Sequence, residues 1–257
     1  MNLLFLFINL IWFMVNCSPD AIKSRIAIIG AHDDKYDSIG KWAHLNKASY
    51  AQKHGYDFFL YTESLDPTRL GYWHKIIAIK NHLKDYDWIF WLDSDALIIN
   101  FDIRLENLID EEFDFITTRD NSNPDCINSG QFLIKNCDWS FNLLNSWYSL
   151  NYIQVQPGYD NGALKTLVFE LGIESIRPRV KIIPLRMLSS YIFHTGDHLS
   201  MDKVIPVDTM YQDGDFIIHL AGFEHRHKMK MMEKIYSIIN YYPNDLKFIL
   251  KECFAVL

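Results

Sequence analysis

The sequence predicts an α/β protein built on a mostly parallel central sheet with helices on both faces. Three observations lead there. Short apolar runs alternate with longer amphipathic segments over the first hundred residues, 49% of the 257 residues are hydrophobic and 15% aromatic, and the apolar run from Trp88 to Asn100 contains two carboxylates one residue apart. Strand and helix alternation implies parallel strands joined by crossover helices, and sheets of this kind bind ligands beyond the carboxyl ends of their strands.

The elements follow in order. Leu3 to Val15 is apolar except for Asn9, and Asn16-Cys17-Ser18-Pro19-Asp20 follows it. That run is short for a membrane span and resembles a signal-peptide core, so residues 1–20 are expected to form a signal peptide or short signal anchor. Residues 21–257 then form a single domain in the secretory pathway, in the Golgi or ER lumen, or secreted if the segment is cleaved. Membrane contact is expected only through the segment if it stays. The alternative is an N-terminal helix packed into the core. Arg25-Ile-Ala-Ile-Ile-Gly-Ala31 reads as a buried first strand. A helix should run from about Ser38 to His54 and end in a left-handed cap at Gly55. Tyr56 to Tyr61 is a second strand. After the Asp66-Pro67 turn, Trp73, Ile76, Ile77 and Leu83 fall at helical spacing and lead into the strand around Trp88 to Asn100.

The second half is more mixed. Phe113 to Thr118 and Gln131 to Lys135 read as strands, with a polar loop from Arg119 to Gly130 between them. Asp138 can cap a helix to about Tyr148, and another helix near Asp160-Asn161-Gly162 carries Leu164, Leu167, Val168 and Leu171 on one face. Strands near Lys181 to Ile183, Tyr191 to His194 and Asp215 to Leu220 follow, then one or two helices from His225 to Leu257, broken at Pro243. A net charge of -7 without a long basic run gives no footprint for nucleic acid, so none is expected as a partner. Four cysteines and no Cys-x-x-Cys motif argue against structural zinc, and Cys126, Cys137 and Cys253 permit one disulfide without requiring any.

Chemistry concentrates in Trp88-Ile-Phe-Trp-Leu-Asp93-Ser94-Asp95-Ala-Leu-Ile-Ile. Charges inside an apolar run need a reason. In an extended segment, side chains two apart share a face, so Asp93 and Asp95 can hold one divalent cation with two hard oxygens, and that cation can carry a diphosphate. The bland alternative is a strand ending in a Ser/Asp turn. His219 closes another apolar strand, Phe216-Ile-Ile-His219, and an imidazole beside two carboxylates suits Mn²⁺ better than Mg²⁺, although a lone histidine at a strand end is more often structural. Asn128-Ser129-Gly130 and Asp160-Asn161 stand before regular elements, where hydroxyl-reading groups are carried; taken singly they are ordinary turns or caps.

Taken in order, these segments resemble a family. Trp73 to Lys75, the Asp-Ser-Asp run, Asn128-Ser-Gly-Gln-Phe-Leu-Ile-Lys-Asn136, Asp160-Asn-Gly-Ala-Leu and His219-Leu-Ala-Gly222 are similar to glycosyltransferase family thirty-four. That family includes fungal α-galactosyl- and mannosyltransferases and plant xyloglucan xylosyltransferases. The resemblance implies a GT-A fold, and a nucleotide-diphosphate sugar as donor. It implies transfer of a hexose or pentose, with retained configuration, to a hydroxyl of a glycan or glycoconjugate acceptor. It places Mn²⁺, with Mg²⁺ as the alternative, on Asp93, Asp95 and His219. Lys75, Ser94, Asn128, Ser129, Gly130 and Gly222 go to the donor side, and Asp160 and Asn161 go beside the reacting sugar carbon. Where the family often has a phosphate-binding lysine soon after His-x-x-Gly, this chain has Glu224, so Arg226 or Lys228 is left as the leaving-group cation. Two other readings stay open: a non-catalytic secreted carbohydrate-binding relative, and a glycoside hydrolase, whose carboxylates must flank the scissile bond across several ångströms.

Overall fold

Six strands pair into one sheet whose middle strands are buried on both faces, as in a sheet covered on both sides. The computed structural model describes residues 24–120, 126–150, 159–170, 177–192 and 210–241. Strands β1 (Ile26–Ala31), β2 (Asp57–Tyr61) and β3 (Trp88–Leu92) are parallel, with β1 between the other two. β5 (Phe115–Arg119) and β6 (Ile127–Lys135) follow, then β7 (Val180–Ile183), giving the order β2-β1-β3-β6-β5-β7. Only β6 runs against its neighbours, because a short connection returns it directly beside β5. β4 (Ala96–Ile98) pairs antiparallel with β8 (Ile217–His219) in a separate two-stranded sheet.

The helices follow the apolar stripes. α1 (Asp37–His54) ends at Gly55, whose φ of 73° and N–H bond to Ala51 O make the expected left-handed cap. α2 (His74–His82), α3 (Asp138–Ser149) and α4 (Tyr159–Lys165) cover one sheet face, where Ile76, Ile79, Leu144, Trp147 and Leu164 pack with Ala27, Ile29, Ile89 and Trp91. Tyr50 and Ala51 of α1, with Ala96, Ile98 and Ile217, cover the other face. α5 (His225–Tyr241) closes an outer layer in which Met231, Met232 and Ile235 meet Ile39, Ala43, Leu97 and Ile218. At about 25 cal/mol per Å² of apolar area, these three clusters supply the main drive for folding.

Four expectations need correction or limitation. The strand through Asp93 stops at Leu92, and Asp93 to Asp95 is a turn between two different sheets. The carboxylates therefore do not share a face through strand alternation. Asn128-Ser129-Gly130 lies inside β6 rather than in a polar loop, with all three residues buried and the register shifted between Thr117 and Arg119 of β5. A buried backbone must pair, and this segment does so largely with side chains: Ser129 N–H with Asn161 Oδ1, Ser129 O with Lys75 Nζ, Asn128 O with the Thr117 hydroxyl, and Gly130 N–H with Asn128 Oδ1. Tyr191 forms only an isolated bridge, to Met210, rather than opening a strand. α4 passes into a π-helical turn at Thr166–Glu170. Residues 1–23, Leu171, His194, Pro243 and Cys253 lie outside the described residues, so the expected signal peptide or anchor, the end of the expected Tyr191–His194 strand and the expected break at Pro243 fall there. Among the described residues no helix is long and apolar enough to cross a membrane.

Candidate functional site

The turn at Asp93 to Asp95 is fixed from three sides. Asp93 N–H donates to Gly130 O at 2.8 Å, and the Ser94 hydroxyl donates to Ala31 O at 2.6 Å. From below, Lys47 Nζ donates to Leu92 O and Asp93 O at 2.7 and 2.9 Å. The β4–β8 ladder sets Ala96 opposite His219, which carries the imidazole to the turn. One ligand atom from each of Asp93, Asp95 and His219 then lies within 4.8 Å of the others. Gly130 makes room for this: a Cβ there would stand 2.9 Å from His219 Cε1 and 3.0 Å from Asp93 Oδ2. Two carboxylates and an imidazole over a glycine cradle fit a divalent cation of the Mn²⁺ or Mg²⁺ kind.

Two lysines balance the carboxylates. Lys228 Nζ, from the first turn of α5, lies 2.5 Å from Asp95 Oδ2 and 3.0 Å from Tyr36 OH, while His219 Nε2 lies 3.2 Å from Asp95 Oδ1. Burial works against charge on Asp95, but Lys228 and His219 hold its carboxyl well below the usual range. The Tyr36 phenol is pushed up to about 12 by burial, then by Asp95. Asp93 accepts from Trp91 Nε1 at 2.7 Å and lies 3.3 Å from Lys75 Nζ. Desolvation pushes its carboxyl up, Asp95 adds to the rise, and Lys75 opposes it.

Lys75 links this group to a second one. Its buried ammonium donates to Asp160 Oδ2 and Ser129 O, both at 2.8 Å. Burial disfavours that charge, yet Asp160 and Asp93 raise the lysine above its ordinary value. Ser129 Oγ donates to Asp160 Oδ2 at 2.6 Å, Ser129 N–H donates to Asn161 Oδ1 at 2.6 Å, and Asn161 Nδ2 reaches Asp120 Oδ2 at 3.2 Å. Asn128 Oδ1 accepts from Gly130 N–H at 2.6 Å, and its Nδ2 donates to Tyr191 OH. Asp160 is thus held as an acceptor inside the site while lying in the first turn of α4.

Of the residues singled out from sequence, Asp93, Asp95, His219, Lys75, Asn128, Ser129, Gly130, Asp160, Asn161 and Lys228 come together. Ser94 does not face them, since its hydroxyl is spent on Ala31. Arg226 is exposed, and among the described residues it makes no hydrogen bond or ion pair with the cluster; Gly222 is an exposed turn residue at φ 83°. Sequence reasoning missed Lys47, Tyr36 and Trp91. Lys47 carried a legible signal, because it falls on the buried stripe of α1 with Ile39, Ala43, Tyr50 and Ala51.

This sheet order and the site at its strand ends define the class. The chain aligns over 81% of its length, and 98% of the other, with a crystal structure of a glycosyltransferase involved in glycosylation of the major capsid of PBCV-1, at a TM-score of 0.62 and 18% identity. The galactosyltransferase LgtC, solved with donor and acceptor sugar analogues, matches 87% of the chain and its own whole length at a TM-score of 0.50 and 14% identity. The fold is that of the GT-A glycosyltransferases. The model of the galactosyl transferase GMA12/MNN10 family matches residues 23–120 and 110–230, and the chain belongs to that family. Glycosyltransferase 6 of Arabidopsis thaliana is 32% identical over 136 residues, covering 49% of this chain and 31% of that protein. An alpha-1,2-galactosyltransferase of Schizosaccharomyces pombe is 26% identical over 216 residues, covering 69% and 54%. The chain therefore spans from about a third to about half of the length of these relatives.

Proposed function

We propose that this chain is a metal-dependent retaining glycosyltransferase that moves a hexose or pentose from a nucleotide-diphosphate sugar to a hydroxyl of a glycan acceptor. The observation that carries this is the convergence of Asp93, Asp95 and His219 beside the buried Lys75–Asp160–Ser129 group. Asp93, Asp95 and His219 would hold the cation, with the imidazole favouring Mn²⁺ over Mg²⁺. When bound, that cation supplies positive charge to the diphosphate as the glycosyl bond breaks.

The other roles belong to side chains. In transfer the bond from the anomeric carbon to the diphosphate oxygen breaks, the acceptor oxygen takes its place, and the hydroxyl proton leaves with the diphosphate. Lys228, beside the Asp95 carboxylate, is the cation suited to the leaving phosphates, and Arg226 is the less favoured candidate. Lys75 and Ser129 hold the Asp160 carboxylate and the Asn161 amide rigid, so both oxygens meet positive charge developing on the sugar without reorganising. A single catalytic domain behind a leading signal peptide or anchor, working in the ER or Golgi lumen, agrees with the apolar run at Leu3 to Val15.

The test is a panel of UDP-galactose, UDP-xylose, UDP-glucose and GDP-mannose incubated with the chain and Mn²⁺, scored for nucleotide release. Release from one donor that EDTA abolishes and Mn²⁺ restores is the expected result. Release from none of them would overturn the proposal.

A further inference from the structure

We infer that Tyr72 and Tyr159 form a stacking platform for a pyranose ring of the acceptor glycan, at the mouth of the site. Their rings stack with centroids 4.8 Å apart and planes 16° from parallel. Stacked aromatic pairs usually lie in cores, yet Tyr72 is 54% exposed and Tyr159 38%. Leu70, at 47%, extends the same loop, so three of the five large exposed apolar side chains among the described residues fall on Leu70, Tyr72 and Tyr159. Apolar surface kept in water at a fixed place marks a binding surface.

The platform adjoins the reacting groups. Tyr159 directly precedes Asp160, and Tyr72 stands three residues before Lys75. The Tyr72 phenol is pushed up by burial and by Tyr159, and it feels the charges of Lys228, Asp160 and Asp95. The loop that carries Tyr72 is anchored just before it. Arg69 lies 3.6 Å from the Tyr148 ring centroid and 5.3 Å from that of Trp73, and donates to Tyr148 O at 2.5 Å. Asp66 accepts from the Tyr148 hydroxyl, which ties the start of the loop to α3. Tyr159 takes a φ of 39°, alone among the described non-glycine residues in having a positive value. A bulky side chain adopts that conformation only where its surroundings hold it, and such strain clusters at ligand sites.

The chemistry selects a neutral sugar. The negative face of a phenol ring attracts the slightly positive C–H face of a pyranose, and its hydroxyl can meet the equatorial hydroxyl rim. Among the described residues, the arginine on the Tyr72 loop, Arg69, is 11% exposed at its side chain and engaged with Tyr148, so it is not free for a phosphate. The anionic part of a donor belongs instead with Lys228 and the metal-ligand group. This inference rests on the transferase reading, because it takes the platform's ligand to be that enzyme's acceptor.

The experiment titrates the full chain, with Mn²⁺ present, with cellohexaose and separately with an α-linked mannotriose, following binding by ligand-observed NMR. At least one oligosaccharide should bind saturably. Tyr72→Ala and Tyr159→Ala should each weaken it by roughly tenfold, while the Phe variants stay within about threefold of the parent. Tyr159→Asn removes the ring but tolerates the positive φ, and it should behave like Tyr159→Ala, which separates loss of stacking from misfolding. The inference is overturned if neither sugar binds, if the ring-deleting variants bind as the parent does, or if they lose UDP affinity with sugar binding intact, the mark of a nucleobase shelf. Donor cleavage in the panel above is scored independently. Sugar binding without nucleotide release would remove the transferase reading alone, and release without platform-dependent binding would remove this inference alone.

Discussion

Asp160 has two possible duties, and substitution separates them. A carboxylate in the first turn of a helix stabilises it by about 1 kcal/mol and contributes little to rate, whereas an oxygen facing a developing oxocarbenium acts in the transition state. Its bonds to Lys75 and Ser129 spend the carboxylate on the site. Asp160→Asn and Asn161→Asp both keep capping ability. A catalytic duty therefore predicts a fall in kcat of roughly a hundredfold or more with donor affinity nearly intact, read from steady-state kinetics on the donor that the panel identifies. Near-normal kcat in both variants would leave them as structural residues. Both residues could be singled out from the sequence, but their partners could not. Asn161 is bound to the backbone of Ser129, 32 positions away, and no local pattern announces such a pair.

At the level of elements, α1 holds the Asp93–Asp95 turn through one buried side chain. Lys47 reaches the carbonyls that end β3, and Gly30 of β1 leaves room for it, since a Cβ there would lie 3.3 Å from Nζ. Burial pushes the ammonium down to about 7, so desolvation offsets much of what its two hydrogen bonds contribute. Lys47→Met removes both the cost and the bonds. Stability should therefore change little, while Mn²⁺ affinity falls roughly tenfold because the Asp93 turn loses its support. Calorimetry with Mn²⁺ beside a denaturant melt checks this; a large drop in stability with unchanged affinity would assign Lys47 to the core alone. The neighbouring Asn46 acts likewise, its amide bonding both Ile98 N–H and Ile98 O and so docking β4 on α1. Helical periodicity places Asn46 and Lys47 on the inner stripe, yet a polar residue there says only that a partner exists, not which backbone it meets.

Across the whole molecule, the site gathers groups from β3, β6, β8, α2, α4 and α5, so ligand binding should be read as global stability. A cation that binds only the folded chain adds about 2.7 kcal/mol at a hundred times its dissociation constant. For a domain of this size that amounts to roughly 5–10 °C in melting temperature. Mn²⁺ should give such a rise and EDTA should abolish it, with Asp93→Asn and Asp95→Asn each losing most of it, all by differential scanning calorimetry without substrate. An equal rise in both variants would remove Asp93 and Asp95 from the metal site. The sequence by itself determined the βαβαβ opening, the alternation that makes a covered sheet, the Gly55 cap and the pair of acids after an apolar strand, because each of these is written in neighbouring residues. It misplaced Asn128-Ser129-Gly130 and the path of Asp93 to Asp95, where polar residues that look like turns are buried and satisfied by distant partners. Only the tertiary structure decided that Lys228 rather than Arg226 meets Asp95, that Lys75 joins Asp93 to Asp160, and that Lys47 stands behind the Asp93–Asp95 turn. The reason is physical: a buried charge takes its place from groups brought close by folding, and sequence separation carries no measure of that distance.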